Sequence, residues 1–179
     1  RDGFGADRFD FDEDYKRMGL AGTFISSNPD LRRFEQAGGK LLIVQGGTDV
    51  TEQGPAAIDY YQTVERVSGG RTATQTFARL FVVPGMNHCS GGDGAFAVGW
   101  FAAMERWVKN GQAPDSLVAA HVPAWADGET GISAGMTSPS SADKVTFTRP
   151  IYPFPFYAHY RGHGDVNNAR NFRPALSEQ

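Results

Sequence analysis

Cysteine is almost missing from these 179 residues: Cys89 stands alone, so no disulfide can form within the chain. What remains open is a free thiol, ordinarily a small buried hydrophobe, or a bond to another chain. No block of Lys or Arg stands out, and the formal net charge is −3 with a pI near 5.8. The electrostatic footprint of a nucleic-acid binder is therefore missing. No apolar run approaches the roughly 20 residues that cross a bilayer, which argues against a membrane-spanning segment. The opening Arg1-Asp2-Gly3-Phe4-Gly5 has no signal-peptide hydrophobic region and no initiator Met, which fits a processed or excised piece whose targeting segment lies elsewhere. No internal repeat is visible.

What the chain does have is apolar residues at 40% and aromatics at 12%, enough to bury the core of one domain. Residues 1–39 open polar and charged. Ser27 or Asn28 before Pro29, with Asp30 following, predicts a helix start, and Gly38-Gly39 its stop. Lys40 to Gln45 is a short apolar run of the kind expected for a strand covered on both faces. Gly54-Pro55 opens a helix through about Val67, with Ala57, Ile58, Tyr61, Val64 and Val67 on one stripe.

Phe77 to Val83 is the next strand. A third helix is expected from Gly94 to Asn110, with Phe96, Trp100, Phe101, Met104, Trp107 and Val108 facing the core and Gly111 as its left-handed stop. Leu117 to Val122 reads as a further strand, 126–143 as an exposed loop rich in Gly, Ser, Thr, Ala and Pro, and Lys144 to Thr148 as an edge strand. The Pro- and aromatic-rich closing segment, 149–179, begins Arg149-Pro150-Ile151-Tyr152-Pro153-Phe154-Pro155 and is expected to lie extended over the surface. Strands alternating with helices at this spacing predict an α/β fold with parallel strands flanked by helices.

Two of these strands deliver chemistry. Asp49 follows the first in Gly46-Gly47-Thr48-Asp49, and His88 follows the second in Pro84-Gly85-Met86-Asn87-His88. An acid and then a histidine, each after a strand, is the closing half of an α/β-hydrolase triad in its usual chain order. Ester hydrolysis needs an imidazole with one bare nitrogen to take and return a proton, and an acid that fixes this tautomer. Spacing alone is also satisfied by an Asp capping a turn and a His content in its loop. No serine on a tight elbow is evident before Asp49.

Other motifs are weaker. His88, Cys89 and Asp93 are metal-compatible side chains without the paired spacing of a zinc framework, and the His159/His163 pair is interrupted by glycine. Gly91-Gly92-Asp93-Gly94 resembles a phosphate cradle but lacks the Gly-Lys-Ser/Thr ending. Gly131-Ile132-Ser133-Ala134-Gly135 is a literal G-x-S-x-G, yet no apolar strand feeds it and no amphipathic helix follows.

The stretches Gly38-Gly39-Lys40-Leu41-Leu42 through Asp49, Asp59-Tyr60-Tyr61, Ala78 through Gly92, and Trp107-Val108-Lys109-Asn110-Gly111 through Asp115 together resemble the C-terminal part of the tannase and feruloyl esterase family. Arg149 to Pro153 and Gly162 to Asn167 resemble its closing segment, and Pro84-Gly85-Met86-Asn87-His88-Cys89 is the most specific match.

The resemblance implies that 1–179 is the C-terminal portion of an α/β-hydrolase catalytic domain. Asp49 would be the triad acid and His88 the triad base for a serine in the family's N-terminal half. Cys89 would be bonded to a cysteine just before that serine, holding two segments about 5.5 Å apart at their Cα atoms. Such a bond implies an oxidising compartment, secreted or periplasmic. The serine-bearing half, as part of a longer protein or as a partner chain, and an aromatic ester substrate are the implied partners. The family's lid, with its calcium site in many members, would lie outside this segment, which alone would turn over no substrate. Gln45 stands where the family usually has histidine, and Tyr152 and Pro174 where many members carry a second cysteine pair. Rival readings are a non-catalytic binding or assembly module that keeps the scaffold, and a self-sufficient hydrolase using Ser133.

Overall fold

The computed structural model describes residues 27–51, 54–123 and 145–176, together with residues 8, 10 and 12–14. The expected loop at 126–143 and the Ser133 motif lie outside the described residues. A short helix α1 (Arg32–Gln36) leads into strand β1 (Leu41–Gly46). Helix α2 (Gly54–Val67) and the single turn α3 (Arg71–Thr74) then cross over to β2 (Ala78–Val83). β1 and β2 pair in parallel, from Leu41 opposite Ala78 to Gly46 opposite Val83. Two parallel neighbours need such a crossover, and α2 supplies it with the bounds its apolar stripe predicts.

β2 is buried on both faces, and its two-residue period divides the core. Ala78 and Leu80 meet Tyr61, Val64 and Phe77 on the α2 side. Phe81 and Val83 meet Met86, Phe96, Val98, Trp100, Ala119 and Ile151 on the other. The buried Tyr61 hydroxyl donates to the Ala78 carbonyl at 3.1 Å, so the phenol enters the core with its polar end satisfied.

Several expectations are corrected. α1 begins at Arg32 rather than beside Asn28, because Asn28 Oδ1 accepts from the Asp30 amide and Asp30 grips the Arg32 guanidinium, holding 28–31 as a turn. Helix α4 spans Trp100–Asn110 rather than starting at Gly94. The preceding Ala95 to Val98 is continuously buried, and Ala97 exchanges backbone hydrogen bonds with Ala120. An apolar segment that meets core on every side has no reason to keep a helical period. Within α4, Trp100, Ala103 and Trp107 face inward, whereas Phe101 and Val108 are exposed at 68% and 63%. Gly111 does close the helix in the left-handed conformation.

The other strands are antiparallel. β3 (Leu117–His121) pairs with β4 (Phe147–Ile151), so the strand expected at 144–148 lies about three residues later. Pro150 fits within β4 because the Thr148 amide, of the same parity, points away from β3 to the Asn167 carbonyl. Its missing N–H therefore costs no bond in the ladder. The following segment is extended, as expected, but it does not lie over the surface. Ile151, Pro153 and Pro155 are buried, and the Phe154 amide donates to the Leu80 carbonyl, covering the second edge of β2. β5 (Phe156–Tyr160) and β6 (Phe172–Leu176) close the described chain as an antiparallel hairpin. Among the described residues, parallel pairing is confined to β1 and β2.

Candidate active site

β1 and β2 end level with one another, and each releases a loop on the same side. The acid loop stays against the histidine loop through three backbone-anchored contacts. The Gly47 amide donates to the Val83 carbonyl at 2.8 Å, the Thr48 amide to the Met86 carbonyl at 3.1 Å, and the Thr48 hydroxyl to that same carbonyl at 2.9 Å. Gly46 makes this approach possible: a Cβ there would run into the carbonyls of Met86 and Asn87.

The histidine loop is closed on itself. The Gly94 amide bonds the Gly85 carbonyl and the Asn87 amide bonds the Gly91 carbonyl, leaving His88, Cys89 and Ser90 at the tip. Gly92 turns at φ +92°, and its missing side chain leaves room for the Gly85 carbonyl. Cys89 takes a left-handed φ of 63° and is exposed, not the small buried hydrophobe that a lone cysteine ordinarily becomes.

These two loops bring Asp49 and His88 together, with His88 Nδ1 2.9 Å from Asp49 Oδ2. A carboxylate offers only lone pairs, so Nδ1 carries the hydrogen and Nε2 is left bare. The other carboxylate oxygen, Oδ1, accepts from the Thr51 amide at 2.8 Å. Asp49 is thus bound on both oxygens, and its side chain is only 5% exposed against 50% for His88. The arrangement can orient an imidazole, stabilise its protonated form, and present Nε2 to a group arriving from outside.

The other candidates do not assemble. Among the described residues no group of three or more His, Cys, Asp or Glu side chains is placed to hold a metal ion. His159 sits on β5 and His163 in the turn beyond it, both exposed. The Gly91–Gly94 run does not open a helix, since α4 begins only at Trp100 and the Gly94 amide is already bonded. Thr48 and Asn87, which reading the sequence did not single out, join the two loops at their bases. The Thr48 hydroxyl lies 3.2 Å from Asn87 Oδ1. Their signal is the Gly-Gly-Thr-Asp run itself, a close backbone approach followed by a hydroxyl.

Residues 6–175 match the family profile described as tannase and feruloyl esterase. A mono(2-hydroxyethyl) terephthalate hydrolase of Piscinibacter sakaiensis is 35% identical over 174 residues, which cover 92% of this chain and 26% of that protein. A probable feruloyl esterase of Arthroderma benhamiae is 34% identical over 151 residues, covering 83% of this chain and 25% of that protein. Among solved structures, an esterase from Aspergillus oryzae superposes with a TM-score of 0.76 at 24% identity over 97% of this chain and 34% of its own. Feruloyl esterase B from the same fungus gives 0.68 at 25% identity over 83% and 29%. The chain spans about a quarter of the length of the first two relatives.

Proposed function

Because the chain belongs to the tannase and feruloyl esterase family, we propose that it carries the acid and the base of a serine carboxylic ester hydrolase acting on aromatic esters. The observation that carries this reading is the Asp49–His88 hydrogen bond between a covered carboxylate and an open imidazole. The names of the relatives support the substrate class, since feruloyl and terephthalate esters both have an aromatic acyl group.

In this reading His88 Nε2 takes the proton of a serine hydroxyl as its oxygen attacks the ester carbonyl. The imidazolium, stabilised by Asp49, then gives that proton to the departing alkoxide as the acyl-enzyme forms. Water repeats the two steps and frees the acid. The serine comes from a segment outside 1–179, either the N-terminal half of a longer polypeptide or a separate chain. Cys89 forms a disulfide with a cysteine of that segment. Its exposure beside the base supports this role, as does a left-handed backbone that cysteine rarely adopts. A stable bond of this kind belongs to an oxidising compartment, so the protein is secreted or periplasmic. In this reading the calcium site that many members carry in the family's lid lies outside 1–179.

The test uses the chain joined to, or co-expressed with, the serine-bearing segment. Asp49→Asn and His88→Ala each abolish most hydrolysis of a p-nitrophenyl ester while circular dichroism stays unchanged, and near-normal hydrolysis by either variant refutes the assignment. A fluorophosphonate labels a serine outside 1–179. Labelling of Ser133 would move the nucleophile into this chain, and no labelling at all would favour a non-catalytic scaffold.

A further inference from the structure

We propose that Thr48 is a positioning residue that sets the reach of Asp49 to His88 by clamping the acid loop onto the base of the histidine loop. The inference rests on the catalytic reading of that pair. Strand pairing ends at Gly46 and Val83, three residues before Asp49 and five before His88. Beyond that point the Gly47 amide still reaches the Val83 carbonyl, but the ladder no longer dictates how far apart the loops stand. Thr48 takes over. Its amide and its hydroxyl converge on the carbonyl of Met86, at 3.1 and 2.9 Å, two residues before the histidine. The hydroxyl also lies 3.2 Å from Asn87 Oδ1, on the residue adjoining His88.

The hydroxyl thus contacts the two residues that precede the base, from the residue that precedes the acid. The carboxylate beyond it has its second oxygen occupied by the Thr51 amide, so its orientation is set from one side by its own loop and from the other by His88. The Thr48 hydroxyl is the side-chain contact that ties these two anchorages into one frame. A small error in that frame is costly, because proton transfer at Nε2 depends on the ring being held at the correct angle and depth.

The experiment compares Thr48→Val, which keeps the shape and removes the hydroxyl, with Thr48→Ser, which keeps the hydroxyl. The assay is p-nitrophenyl ester hydrolysis by the complete enzyme. Thr48→Val lowers kcat on the order of 10- to 100-fold and leaves KM unchanged, and Thr48→Ser returns kcat to near the wild-type value. On the Asp49→Asn background, assayed at high enzyme concentration, Thr48→Val removes no further rate, because its effect passes through a pair already broken. Thr48→Ala, which adds no bulk, carries the same expectations should the valine variant lose its fold. A wild-type kcat for both hydroxyl-less variants, a serine variant as impaired as valine, or an undiminished loss on the Asp49→Asn background overturns the inference. Near-normal activity of Asp49→Asn alone would instead sink the catalytic reading beneath it.

Discussion

Asp49 is held almost out of water while the imidazole it binds, that of His88, is half exposed. With the carboxylate covered, its hydrogen bond to the ring competes less with water, and the open imidazole can still be reached from outside. The covered acid is also fixed by its own loop, through the Thr51 amide on Oδ1. Placement of the carboxylate, not only its charge, should therefore matter.

Asp49→Glu tests this directly. One extra methylene keeps the charge but displaces the carboxylate from both partners. The expected result is a loss of about 10²-fold in kcat. The amide variant Asp49→Asn should lose about 10⁴-fold, because it favours the wrong imidazole tautomer. Steady-state kinetics of both variants in the complete enzyme decide the point, and a wild-type kcat for Asp49→Glu would mean that position counts for nothing beyond charge.

Gly46→Ala forces a methyl into the Met86 and Asn87 carbonyls where the two loops meet. Backbone atoms cannot swing aside, so the loops separate. We expect a stability loss of about 1–3 kcal/mol in urea denaturation, together with a fall in activity larger than that of any surface variant. Unchanged activity would show that the loop contact is not what sets the pair.

Cys89 occupies a left-handed position that asparagine tolerates better than serine. If the residue is there only to make the turn, Cys89→Asn should be as active and as stable as the wild type. If it is tethered, both Cys89→Asn and Cys89→Ser lose activity and melt at lower temperature. Intact mass with and without reductant then distinguishes the cases: two separate chains part on reduction, and a single polypeptide with the bond gains two hydrogens.

Phe81 is fully buried at the meeting of β2 with Trp100, whereas Phe101, which follows Trp100 in the expected apolar stripe of α4, is 68% exposed. Phe81→Ala should cost about 3–5 kcal/mol in chemical denaturation, and Phe101→Ala should lie within about 0.5 kcal/mol of the wild type. A large loss at Phe101 would mean that a further surface covers this helix face.

The Asp30 carboxyl is lowered from its ordinary value of 3.8 to about 2, first by the hydrogen bond from the Arg32 side chain and then by the Arg32 backbone amide. A depressed carboxyl stabilises the folded form above its unfolded value, and that contribution fades as pH falls towards the folded one. The turn ahead of α1 is therefore expected to stay closed above about pH 4 and to loosen between there and about 2. A carboxyl carbon titration by NMR should place the midpoint near 2. In Arg32→Ala the midpoint should move back towards the ordinary value.

The elements that read most directly from sequence are those whose pattern has one cause. β1 and β2 are short apolar runs between glycines, and α2 carries a single stripe between Gly54 and Gly69, so each appears where its residues predict. The stretch from Gly94 to Val98 misled because it is apolar throughout: a run buried on every side looks the same whether it coils or extends. Phe101 and Val108 misled for the opposite reason, since an apolar residue at the right spacing can still face water. The prolines of 150–155 correctly exclude helix, but their burial depends on β2 having a second edge to cover, which no local signal announces.

Residue types and chain order were enough to make Asp49 and His88 candidates, because an acid and an imidazole after successive strands are a chemical pattern written in one dimension, whereas Cys89 was marked only by the resemblance of its stretch to the family. Whether the acid reaches the imidazole depends on two loops thirty-nine residues apart meeting in space. That meeting is decided by the parallel register, by the absence of a side chain at Gly46, and by the Thr48 contacts to Met86. Hydrogen bonds act over about 3 Å, a precision that spacing along the chain does not carry and that only packed backbone supplies.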